Sequence, residues 1–117
     1  MSNKSSLVAY HTALNAFDPD VVTTMFAPDA TYMSPGLKSR VVGRTAIMHA
    51  MRDYFSEFSD QISVDDEILE LDEMRVQSTW RLQATSNRTG VKVQRSGKEI
   101  VTFDHLGFIS KVEVIDI

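Results

Sequence analysis

Cysteine is absent from this 117-residue chain. That excludes a disulfide framework, a thiolate metal site and a cysteine nucleophile, and it fits a reducing cytoplasm. Long apolar runs are missing too. None approaches the ~20 residues that span a bilayer, so no membrane association is expected. The opening stretch, MSNKSSLVAYHTALNAF, has one Lys and no apolar core of its own, so it does not read as a signal peptide. Basic residues are outnumbered: 12 Lys and Arg stand against 16 Asp and Glu, a net charge of −4. That balance disfavours nucleic acid or an anionic membrane as the partner. No phosphate-cradling glycine loop, no nucleotide fingerprint and no histidine pair at ligand spacing is present, so neither cofactor nor metal is expected. The triplets Asn3-Lys4-Ser5 and Asn87-Arg88-Thr89 match a glycosylation sequon and are read as chance.

What is present is an ordinary globular balance, 43% apolar and 24% charged. The length suits one domain over residues 1–117, with no linker or repeat. Before about residue 60 the apolar residues recur at helical spacing; after it they alternate. A first helix is expected over 5–16, with Leu7, Tyr10, Leu14 and Phe17 on one stripe. Asp18 caps a second helix over 19–26, with Pro19 at its first position. A short strand over 29–33 ends at Ser34-Pro35-Gly36, and a loop runs over 37–42. A third helix over 45–58 carries Ile47, Met51, Tyr54, Phe55 and Phe58. The rest reads as strands. In the first of them Ile62, Val64 and Ile68 share the inner face, with a bulge near Leu69 and Leu71. In the next, Val76, Ser78, Trp80, Leu82 and Ala84 share it. An extended segment over 91–104 has a candidate turn at Ser96-Gly97, and a last strand ends the chain. Three helices followed by a meander imply an α+β fold.

The order of these pieces carries a resemblance. "AYHTALNAFDPDVVTTMFAPDATYMSPG", then "VGRTAIMHAMRDYF", then the tail "SGKEIVTFDHLGFISKVEV" resemble the nuclear transport factor 2-like superfamily, in its SnoaL-like and ketosteroid isomerase-like branch. The resemblance implies a strongly curved antiparallel or mixed sheet wrapped around three N-terminal helices. That cone would have an internal pocket for an apolar small molecule, and two copies would pair through their sheets. It also implies acid/base chemistry on an apolar carbonyl compound, by an isomerase, cyclase or dehydratase. The alternatives are a non-catalytic binding domain and a dimerisation module whose cone is filled.

Three positions match the isomerase machinery. Tyr10 matches the phenol that donates to a developing enolate oxygen; the competing reading is a core residue. Ser34 matches the general-base aspartate. A hydroxyl cannot take a carbon-bound proton unaided, so the usual base is lost there, and Ser34 also suits a turn before Pro35. Glu99 matches the second carboxylic acid if it points inward with Val101 and Phe103. Among apolar neighbours its pKa would rise, whereas a solvated Glu beside Lys98 or Arg95 is the plainer reading. Pocket walls are expected from Met33, Tyr54, Phe55 and Phe58, from Ser78, Trp80 and Leu82, and from Val101, Phe103 and Val112. His11 should point away from the Tyr10 stripe. Asp65-Asp66-Glu67 reads as solvated edge charge. Arg81, read as outward, is discounted as an epoxide-opening partner of Asp66. Asp116 is a candidate for the pocket mouth.

Overall fold

The computed structural model describes residues 2–35 and 40–117. The turn expected at Gly36 and the loop residues 37–39 lie outside them. Helix α1 is Asn3–Asn15, begun by the Ser2 hydroxyl accepting from the Ser5 N–H. Phe17 follows it with φ +32°, the left-handed turn that closes the helix, and stacks on Phe55. Helix α2 is Pro19–Met25, with Asp18 accepting from the Val21 N–H as its cap. Strand β1 is Phe26–Met33 and β2 is Val41–Val42. Helix α3 is Arg44–Glu57, and β3 is Ile62–Glu70. Then come β4 (Arg75–Thr85), β5 (Lys92–Phe103) and β6 (Ile109–Asp116).

The six strands form one mixed sheet in the order β2-β1-β6-β5-β4-β3. The sequence expectation of three helices and a curved sheet holds. Several boundaries differ. Phe26, Ala27 and Pro28, expected to end α2, already belong to β1. Phe26 and Ala27 are buried between helix and sheet, and tertiary burial overrides helical spacing. The short strand expected over 29–33 is paired on both sides, antiparallel to β2 and parallel to β6. Ser96-Gly97 is not a turn, because β5 runs straight through it in unbroken register with β4.

Gly97 has a reason of its own. A Cβ there would overlap the Ile115 carbonyl oxygen and come within 2.8 Å of Trp80 Cζ2. The missing side chain lets the indole lie against the β5 backbone. The bulge in β3 falls at Asp66, between the pairs Asp65↔Trp80 and Glu67↔Thr79, earlier than Leu69 and Leu71 suggested. It reverses the expected faces. Ile62 and Val64 are 55% and 45% exposed, whereas Asp65 turns inward. A single inserted residue shifts a period of two by one, so Ile62 and Val64 before it take the other face, while Ile68 beyond it stays inward and packs on the core as expected.

One end of the cone is filled. Tyr10 packs edge-on against Phe26, and with Ile47 they meet Val101, Phe103 and Val112, all essentially buried. Each such side chain contributes roughly 1.5–3 kcal/mol by leaving water. Along β5 the packed core stops at Val101. From Glu99 toward Arg95 the inner face is open.

Candidate functional site

His11 and Asn15 lie one helical turn apart on α1 and face β3. The Asn15 amide donates to the Ser63 carbonyl at 3.0 Å and its oxygen accepts from the Ser63 N–H at 3.1 Å. Positions i and i+4 share a helix face, and i and i+2 share a strand face. Fixing 15 on 63 therefore sets 11 against 65. His11 Nδ1 lies 2.6 Å from Asp65 Oδ2, and Nε2 lies 2.5 Å from Glu99 Oε1. The imidazole is held between two carboxylates from β3 and β5, the strands that flank β4.

Burial disfavours charge on this ring. The negative charge of Glu99, with hydrogen bonds from the ring to both carboxylates, outweighs burial and raises the His11 pKa from 6.5 to about 10. At neutral pH the ring is an imidazolium with two donors, so Asp65 and Glu99 both accept. The row as a whole carries net negative charge.

A cavity of about 100 Å³ opens beside this row. Glu99 and His11 line it. Trp80 and Leu82 come from β4, Tyr54 and Phe55 from α3, and Tyr32 and Ser34 from the end of β1. By comparison, an apolar cavity of ~150 Å³ holds benzene. This cavity is about two-thirds of that volume, so a ring-sized compound would extend through its opening.

Of the residues expected at the site, Ser34, Tyr54, Phe55, Trp80, Leu82 and Glu99 face the cavity. Tyr10 does not line it. Its phenol is fully buried, and its oxygen has no hydrogen-bond partner of normal geometry. Burial, with Tyr32 and Glu99 nearby, pushes its pKa well up. Tyr32 presents the phenol that lines the cavity, its pKa raised by burial and by Glu99. Met33 points the opposite way along β1 and is 47% exposed. Phe58 packs on Tyr54 outside the lining. Ser78 is buried with its hydroxyl unpartnered, across from Glu99 on β4. Val101, Phe103 and Val112 belong to the filled end, because Tyr10, Phe26 and Ile47 occupy the space in front of them.

His11 and Asp65 were misread. His11 points not away but into the cone, and Asp65 is not edge charge. Glu99 is not among purely apolar neighbours, since an imidazolium stands against it. Arg81 does face outward and pairs with Asp66 at 3.0 Å. Asp116 is exposed and is held by Arg95, whose Nε and Nη2 each donate to it at 2.8 Å. Arg95, which sequence reasoning treated only as a salt-bridge candidate, lines the cavity and stacks over Trp80 with its guanidinium carbon 5.6 Å from the ring centroid. Among the described residues no group of His, Asp and Glu is arranged to hold a metal ion. No helix among them is long and apolar enough to cross a membrane.

A comparison with curated proteins gave no match. Among solved structures, an epoxide hydrolase/cyclase-like enzyme of pyran ring formation in the polyether salinomycin is similar, with a TM-score of 0.86 and 19% identity over 98% of this chain and 90% of that one. TerC, co-crystallised with polyporic acid, has a TM-score of 0.83 and 18% identity over 98% and 91%. A Mycobacterium tuberculosis protein in complex with estradiol-17beta-hemisuccinate has a TM-score of 0.85 and 11% identity over 97% and 93%. At such identities the likeness concerns the fold alone. The SnoaL-like domain family matches residues 7–112, nearly the whole chain, and the protein belongs to that family.

Proposed function

We propose that the cavity is a proton-transfer site for a small, largely apolar, carbonyl-containing compound, with Glu99 as the base. The observation that carries this reading is the row Asp65–His11–Glu99. Glu99 is 6% exposed, lines the cavity, and is held as an acceptor by an imidazolium that Asp65 holds in turn. Glu99 would take a proton from the carbon next to the carbonyl, leaving an enolate. The Tyr32 phenol is placed to donate to that oxygen. Return of the proton to another carbon is an isomerisation; its delivery to a departing hydroxyl is a dehydration. Tyr10 stands behind Tyr32 as a buried partner, so its expected role as direct donor passes to Tyr32. Ser34 faces the cavity without carrying the proton. The salinomycin enzyme and the steroid- and polyporic acid-bound relatives support a cavity that takes small organic molecules.

The same cavity supports a second reading, a non-catalytic binding pocket, favoured by a serine where the isomerases keep their base. The two are separated by deuterium exchange. 3-Benzoylpropionate and related enolisable aryl ketones are incubated with the protein in D₂O, and exchange beside the ketone is followed by NMR. Binding is followed by quenching of Trp80, the single tryptophan. The enzyme reading expects exchange that falls ~100-fold or more in Glu99→Gln while binding persists. Equal exchange in the variant overturns the assignment of Glu99. Binding without exchange in the wild type leaves the pocket reading.

A single domain, a cytoplasmic location and a homodimer complete the proposal. The outer face of the sheet exposes Ile62 and Val64 on β3 and Ile115 on β6, with Arg81, Gln83, Gln94 and Ser96 between them, a mixed surface that a second copy would cover. Sedimentation at low micromolar concentration tests the pairing, and a clean monomer overturns it.

A further inference from the structure

The cavity has a cationic end as well as a carboxylate end. Arg95, Gly97 and Glu99 share the inner face of β5, because side chains alternate along a strand. Four residues of extended chain set Arg95 and Glu99 roughly 13 Å apart along the backbone. Between them Gly97 leaves room for the Trp80 indole, which forms a flat floor. Arg95 rests its guanidinium over that indole and faces the same cavity. One edge of the fork, Nε and Nη2, is bound to Asp116. The Tyr54 oxygen also takes a hydrogen bond from the guanidinium, while its O–H donates to Gln61. A guanidinium has five N–H donors in a planar fork, so donors remain beyond those given to Asp116 and Tyr54.

We infer that the ligand is an organic acid, with its carboxylate on the remaining N–H donors of Arg95, its apolar body on Trp80 and its reacting carbon at Glu99. The inference deepens the proposed function, but it rests only on this cavity being the ligand site. Electrostatics gives it a direction. The carboxylate row repels a second negative charge, so an anionic ligand must keep its charged group at the far end. The molecule can then enter in one orientation, with its uncharged part toward Glu99. Asp116 is exposed and lies at the end of β6, so its carboxylate competes with that of the ligand for Arg95.

The test is a matched pair. 3-(4-Acetylphenyl)propionate, whose ring separates the carboxylate from the enolisable methyl ketone, and its methyl ester are titrated against the wild type, Arg95→Gln, Arg95→Lys and Asp116→Asn, with Trp80 fluorescence and calorimetry as readouts. The wild type is expected to bind the acid at least ~10-fold more tightly than the ester, the ratio for about 1.4 kcal/mol. The preference should vanish in Arg95→Gln and survive in part in Arg95→Lys, which keeps charge but loses the fork. Asp116→Asn, which removes the competitor, should tighten the acid several-fold and leave the ester unchanged. Equal binding of acid and ester in the wild type overturns the inference, as does binding of neither or a preference that survives Arg95→Gln. If Arg95→Gln does not fold, an unchanged acid affinity in Asp116→Asn overturns it. The readout is binding alone. Failure of the proton-transfer reading would appear as missing exchange with this preference intact.

Discussion

Replacing His11 with Gln removes the cation between two inward-facing carboxylates. The rise in pKa from 6.5 to about 10 corresponds to about 5 kcal/mol of preference for the charged ring, at 1.36 kcal/mol per unit. Removing one member of a buried ion pair costs about 3–5 kcal/mol, so a loss of about that size is expected at neutral pH and below. The pH dependence has a definite sign. A group whose folded pKa is raised contributes fully below its unfolded pKa, near 6.5, and loses that contribution as pH rises through about 10. The wild type should therefore lose stability between about pH 6 and about pH 9.5, by roughly 3–4 kcal/mol from this ring. The variant lacks that slope. Urea unfolding of both proteins at the two pH values measures it, with equal m-values as the check that the same transition is compared. The gap should be wide at pH 6 and narrow at 9.5. A gap that stays constant with pH, or stays under about 1 kcal/mol throughout, refutes the argument.

Tyr10→Phe removes a buried phenol oxygen whose neighbour, the Tyr32 hydroxyl, does not meet it in normal hydrogen-bond geometry. Its stability should stay within about 1 kcal/mol of wild type or rise, because no satisfied hydrogen bond is lost; a drop above 2 kcal/mol in urea would mean the oxygen has a partner after all. Gly97→Ala should cost at least about 2 kcal/mol and shift Trp80 emission, since the new methyl meets a carbonyl oxygen and the indole. An unchanged melting temperature and an unchanged spectrum would contradict the close packing of Trp80 on β5.

The fold was legible because its signals are local and repeated. The Leu7–Tyr10–Leu14 stripe, the Asp18-Pro19 restart and the clean alternation from Val76 to Ala84 each specify an element by themselves. The site was only half legible. Glu99 could be found because β5 alternates without interruption, so Val101 and Phe103 give its direction. Asp65 could not, because its facing depends on a bulge at Asp66. Sequence alone marked a parity break in β3 but set it at Leu69, three residues late. His11 was dismissed because its neighbour Tyr10 dominates the apolar stripe. A usable signal was the pair His11 and Asn15, two polar residues four apart on one helix, matched by Ser63 and Asp65 two apart on a strand. Ser34 drew attention to the cavity it lines, although the residue proposed as the base, Glu99, comes from another strand.

The central claim is that an imidazolium, clamped between Asp65 and Glu99, holds the cavity's carboxylate in place. An NMR titration of the His11 ring nitrogens tests it most directly. The account predicts that both nitrogens remain protonated through pH 8 and release their proton with a midpoint near 10. A midpoint near 6.5, the value of a solvated histidine, would contradict it.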